Sequence, residues 1–142
     1  MRRIVRLLAP LCLILALSAC GLTDRGGPWW EPEDHPYQID PTTNVQAELP
    51  AGDYLTVIVP LKRNEPVSEQ PDYNPRLMHF AGFRFSPPTK REYDEGKNGQ
   101  FIFSFITLEA GDSEVVIHRL GPDKKPAPVV YAKLSVKVVN GD

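Results

Sequence analysis

The sequence predicts an all-β domain over residues 44–142, an immunoglobulin-like antiparallel β-sandwich of about six to eight strands. Three observations predict it. From Val45 onward, apolar residues recur at every second position in short runs. Pro, Gly, Asn and Asp separate those runs at strand-like intervals, as at Pro50-Ala51-Gly52-Asp53 and Ala110-Gly111-Asp112. No stretch carries an amphipathic helical period, and Lys90 to Gly96 has room for a single turn at most. A small β-barrel is the competing architecture.

The runs follow in order. Val45, Ala47 and Leu49 alternate, then a turn leads into Leu55, Val57, Val59 and Leu61 on one face, with Tyr54, Thr56 and Ile58 opposite. Phe80 to Phe85 is an aromatic-rich strand weakened by Gly82. Phe101, Phe103 and Phe105 share one face and Ile102, Ile106 and Leu108 the other, so this run belongs in the middle of a sheet. Val115 to Leu120 follows. The last run is the most regular: Val130, Ala132, Leu134, Val136 and Val138 alternate with Tyr131, Lys133, Ser135 and Lys137. One buried and one solvated face is what a sandwich strand needs.

The amino-terminal residues read differently. Arg2, Arg3 and Arg6 precede an apolar run from Leu7 to Leu17, broken by Pro10 and too short to span a bilayer, which takes roughly 20 residues. Small residues follow, as a signal peptide requires. Leu17-Ser18-Ala19-Cys20, with Gly21 next, resembles the lipobox of bacterial lipoproteins. The resemblance implies removal of residues 1–19, diacylglycerol on the Cys20 thiol and acylation of the new amino terminus. Two or more acyl chains give stable membrane anchoring where one is marginal. By the same resemblance, Gly21 in place of an Asp implies the outer membrane, facing the periplasm, rather than the inner membrane.

Residues 20–43 then read as lipid anchor and tether. Gly26-Gly27-Pro28, Pro32, Pro36 and Pro41 interrupt any period, and Glu31, Glu33 and Asp34 lie between them. Trp29-Trp30 either meets a membrane or partner or packs on the domain edge. Losing the leader takes the formal net charge from −2 to −5, which argues against nucleic acid as a partner. With Cys12 in the leader and Cys20 acylated, no thiol is left for a disulfide, a nucleophile or a metal.

Chemistry-bearing patterns are sparse. His35, His79 and His118 are not at ligand spacing, so no metal is expected. Ser86, Ser104 and Ser113 lack a nucleophile elbow. Glu31/Glu33 and Asp94/Glu95 read as solvated loop charges. The expectation is a protein that is not an enzyme and has no cofactor beyond the covalent lipid on Cys20.

The carboxy-terminal half carries a further likeness. Gly96 to Gly99, Phe101 to Phe105, Glu109-Ala110-Gly111-Asp112 and Val115 to Arg119 are followed by a proline-rich loop and a final alternating strand. Pro50-Ala51-Gly52-Asp53-Tyr54-Leu55-Thr56-Val57 supplies an opening element. Together these resemble the bacterial chagasin family, immunoglobulin-like inhibitors of papain-type cysteine peptidases, over Val45 to Val139. The family inhibits through three loops at one end of the sandwich. Its first loop reads Asn-Pro-Thr-Thr-Gly-Tyr, where this chain has Asn64-Glu65-Pro66 and Tyr73-Asn74-Pro75. Gly96 and Gly99 match the middle-loop glycines at a different spacing. Of the third loop's Arg-Pro-Trp only Arg119 matches, followed by Leu120-Gly121-Pro122.

The leading expectation is therefore a membrane-anchored envelope lipoprotein whose domain binds a protein partner or serves a structural role without catalysis. Its working surfaces are Arg63 to Arg76, Ser86 to Gln100 and Gly121 to Pro128, with Gly96, Gly99 and Arg119 as candidate binding residues. The alternative is a chagasin-type inhibitor of papain-like peptidases, and the missing motifs predict weak inhibition or none. An enzyme is the remote third reading.

Overall fold

The computed structural model describes residues 34–141. Seven strands and one short helix follow the order β1 (Asp34–Gln38), β2 (Val45–Pro50), β3 (Tyr54–Lys62), β4 (Met78–Ser86), α1 (Lys90–Asp94), β5 (Lys97–Thr107), β6 (Gly111–Leu120) and β7 (Pro126–Val139). One sheet has the order β1-β3-β5-β4 and the other β2-β7-β6. The all-β sandwich predicted from alternation is the fold observed.

The alternating residues make the space between the sheets. Leu55, Val57, Val59 and Leu61 face Ala132, Leu134, Val136 and Val138 across one core, with Phe103 and Phe105 fully buried among them. β5 pairs with β3 on one side and β4 on the other, so it is an interior strand of its sheet, and Phe101, Phe103 and Phe105 face the core. Phe83 stacks edge-on to Phe101 at 5.0 Å, and Tyr73 and Phe80 pack on Phe105 at 5.3 and 5.4 Å. Gly82 marks an irregularity rather than a break. The register slips between Phe80 and Gly82, so Phe80 and Phe83 both reach the core from an odd spacing.

Three local expectations are corrected. The stretch read as the end of the tether contains β1, which pairs in parallel with β3 from Asp34↔Tyr54 to Gln38↔Ile58. Ile39 is fully buried, and the chain crosses to the other sheet over residues 39–44. The Asp40 side chain holds that crossing, accepting bonds from the Thr42 amide at 2.7 Å and hydroxyl at 2.6 Å. Those bonds, with the Thr43 contacts, draw the Asp40 carboxyl down to about 2. Second, the pairing is not wholly antiparallel, because β2 runs parallel to β7 as β1 does to β3. Third, Val130 is half exposed while Tyr131 is buried. Ile117 pairs with Ala132 and His118 with Val130, so Tyr131 is an extra residue in β7 and the inward face changes at that bulge.

Candidate functional site

Where the three expected loops sit follows from strand direction. Lys62 at the end of β3 pairs with Lys97 at the start of β5, so the β4–β5 connection lies at the end where β3 finishes. The Leu120 amide donates to the Pro66 carbonyl at 2.9 Å, which brings the β6–β7 turn to the same end. The tips of all three connections therefore share one end of the sandwich.

The first stretch is shorter at that end than the sequence implied. Only Arg63 to Pro66 form its tip, with Asn64 in the left-handed region at φ 71°. Residues 67–72 then run beside β6 through the bridges Val67↔Arg119 and Asp72↔Val116, with Val67 buried. They act as a partial fourth strand of the second sheet, so they are scaffold rather than free loop.

The second connection is built around α1. Thr89 caps the helix: its hydroxyl oxygen accepts from the Glu92 amide at 3.3 Å, and the Glu92 carboxylate accepts from the Thr89 amide at 2.8 Å. The bonds that the Thr89 amide and then the Thr89 hydroxyl donate to the Glu92 carboxylate, both at 2.8 Å, lower that carboxyl below its ordinary range. The Arg91 guanidinium, 3.0 Å away, and the Lys97 ammonium, 3.2 Å away, do the same for Glu95. This short helix is therefore pinned at both ends, and its ring-bearing residue, Tyr93, is half exposed.

The third tip is the turn Gly121 to Lys125. It is closed by the Gly121 amide on the Lys125 carbonyl at 2.8 Å, with Lys124 left-handed at φ 60°. Its exposed side chains are Pro122, Asp123, Lys124 and Lys125, with no aromatic ring.

The tips are joined to one another. The Arg63 amide donates to the Gly96 carbonyl at 3.1 Å, and its guanidinium donates to the Tyr93 carbonyl. The Arg63 guanidinium carbon also lies 4.0 Å from the Tyr93 ring centre, a cation–π stack. On the other side Arg119 faces Glu65 at 3.7 Å. The tips and their immediate flanks, residues 62–66, 87–97 and 119–125, carry eight Lys and Arg against five Asp and Glu. The remaining described residues carry four against nine, so this end is positive on a chain that is acidic elsewhere.

Of the residues singled out by sequence, Arg119 and Gly96 come to this end, and Arg119 turns its charge toward Glu65. Gly99 lies within β5 rather than at a tip. A Cβ there would overlap the Ser86 carbonyl oxygen and come within 3.0 Å of the Phe85 ring, so its role is to let β4 and β5 approach. Gly96 follows the helix at φ 83°, with nothing within 4 Å of where a Cβ would stand. Cys20, Trp29 and Trp30 lie outside the described residues. Sequence reasoning missed Arg63 and Tyr93. Their stack joins residues thirty apart in sequence, and no local spacing signals it.

Among the described residues, no three His, Cys, Asp or Glu side chains converge as a metal site would need. The His35 imidazole meets the buried Asp53 carboxylate at 2.9 Å at the far end of β3. A cavity of about 510 Å³ is a polar hollow beside β6 lined by Asp72, Asp112, Glu114 and Ser135, away from the loop tips.

No protein-family description and no curated protein matches the sequence. Among solved structures, the chain is similar to the cysteine protease inhibitor EhICP2 from Entamoeba histolytica, with a TM-score of 0.59 and 10% identity. That match covers 80% of this chain and all of the other. Amebosin also matches, at a TM-score of 0.41 and 12% identity, over 78% of this chain and all of the other. The first likeness is one of fold: both chains are two-sheet β-sandwiches.

Proposed function

We propose that this chain is a lipid-anchored, non-catalytic inhibitor of papain-like cysteine peptidases, binding through the loop end of its sandwich. The observation that carries the reading is the convergence of three loop tips, fastened by Arg63 to Tyr93 and Gly96 and by Arg119 to Glu65. It occurs on a fold similar, over 80% of the chain, to that of a cysteine protease inhibitor. This replaces the leading expectation of a binding module without inhibition. That expectation rested on lost loop motifs, but the first and third tips are still presented beside the second, and the second brings an aromatic residue of its own.

Inhibition of this kind needs no reacting group. A rigid convex end enters a concave cleft, excludes substrate and leaves again intact. Fastened loops lose little conformational freedom on docking, so more of the contact energy appears as affinity. The Leu17-Ser18-Ala19-Cys20 motif supports the anchoring half of the proposal. Acyl chains on Cys20 would hold the domain at the envelope, most simply at the periplasmic face of the outer membrane. Titrating papain with the purified chain and reading residual hydrolysis of a peptide substrate tests the inhibitory half. Stoichiometric loss of activity at submicromolar concentration is expected. Full activity with the chain in large excess contradicts the proposal.

A further inference from the structure

We infer that Tyr93, held by Arg63, is the aromatic anchor of this interface, and that it fills an apolar pocket of the peptidase with a carboxylate at the rim. The inference rests on the inhibitory reading above and assigns its energetic centre to the middle loop.

Protein interfaces draw most of their affinity from a few central Trp, Tyr and Arg side chains. The first and third tips offer no ring: Arg63 to Pro66 and Gly121 to Lys125 contain none. Six large apolar side chains are substantially exposed among the described residues. Tyr54 and Leu108 lie at the opposite end, where Tyr54 pairs with Ile106. Phe85 is in β4 and packs on Phe101 at 5.9 Å, while Val129 and Val130 belong to β7. Tyr93 alone stands on a loop tip, and it is 51% exposed.

Its placement is rigid for a loop residue. The Thr89 cap fixes where the helix begins, and the Arg63 guanidinium stacks on the ring while bonding to the Tyr93 carbonyl. A ring already fixed in its bound position loses little entropy on docking. A partner that buries the ring must also meet the guanidinium lying on it and, across the loop end as a whole, eight Lys and Arg against five Asp and Glu. A carboxylate at the pocket rim answers both.

The test is inhibition of papain by the parent chain and by Tyr93→Ala, Tyr93→Phe, Arg63→Lys and Leu108→Ala. Tyr93→Ala should weaken inhibition by about thirtyfold or more. Tyr93→Phe keeps the ring and should stay within about threefold. Arg63→Lys keeps the charge but not the planar stack, and should weaken inhibition by roughly tenfold. Leu108→Ala should change nothing. Thermal melts of each variant separate lost contact from lost folding, since a half-exposed ring on one turn of helix contributes little to the core. If Tyr93→Ala inhibits as well as the parent, or weakens no more than Leu108→Ala, the anchor is elsewhere and this inference falls while the inhibitory reading stands. If the parent chain does not inhibit, the reading itself falls and takes this inference with it.

Discussion

The Tyr131 hydroxyl donates a hydrogen bond to the Pro60 carbonyl at 2.9 Å, tying β7 of one sheet to β3 of the other just below the loop tips. The bulge that turns Tyr131 inward makes this tie possible, and it holds the first tip in place relative to the third. Tyr131→Phe should therefore cost about 1 kcal/mol in urea unfolding at neutral pH. Burial, and after it the negative charge of Glu65, pushes the Tyr131 hydroxyl above its ordinary value near 10. Because the folded value is raised, its stability contribution is intact below the unfolded value and is lost as pH rises from there through the folded one. The parent should thus lose stability above about pH 10 more steeply than Tyr131→Phe. Parallel alkaline limbs for the two proteins would show that the hydroxyl is not held as described.

The two middle-loop glycines should behave differently. At both, a side chain meets the strain of a positive φ, but only at Gly99 does it also meet the Ser86 carbonyl. Gly96→Ala should cost about 1–2 kcal/mol. Gly99→Ala should cost clearly more and should disturb the β4–β5 pairing, read as faster amide exchange at Phe85 and Gln100. Equal costs would mean that the close approach of the two strands relaxes freely.

Phe103 is fully buried at the centre of the aromatic cluster, 5.5 Å from the Phe83 ring and 6.1 Å from Phe101. Phe103→Ala should cost about 3–5 kcal/mol, a large share of what holds a domain of this size together. A loss below about 1 kcal/mol would be incompatible with that burial.

The anchoring proposal makes its own prediction. In a bacterial host, Cys20→Ala should abolish incorporation of labelled palmitate and leave the precursor uncut. A Cys20→Ala protein that still takes up label and fractionates with membranes would contradict the lipobox reading.

Most of the sandwich was legible because burial writes itself into alternation. Leu55 to Leu61, Phe101 to Phe105 and Leu134 to Val138 each point inward at every second residue, and the core is made of them. The misread parts share a cause: their structure is set by a distant neighbour. β1 has too few apolar residues to signal a strand, and Pro36 within it argues against one, yet it forms because β3 offers an open edge. Tyr131 turns inward because of a bulge that no alternating pattern records. Residues 67–72 look like loop because two bridges to β6, rather than a continuous ladder, hold them. At the candidate site, Gly and Pro marked three stretches whose tips do reach one end of the sandwich, the first of them only at Arg63 to Pro66. The sequence could not show that Arg63 reaches Tyr93, because that contact exists only once β3 and β5 pair.

If the loop end occupies the cleft of a papain-like peptidase, the catalytic cysteine itself reports it. That residue reacts as a thiolate and is alkylated rapidly when the cleft is open. Papain should be treated with iodoacetamide alone and after mixing with a slight excess of the chain, and the labelled fraction followed by mass spectrometry. The account predicts that the parent chain slows alkylation severalfold or more and that Tyr93→Ala protects far less. Alkylation at the same rate with and without the parent chain would contradict it.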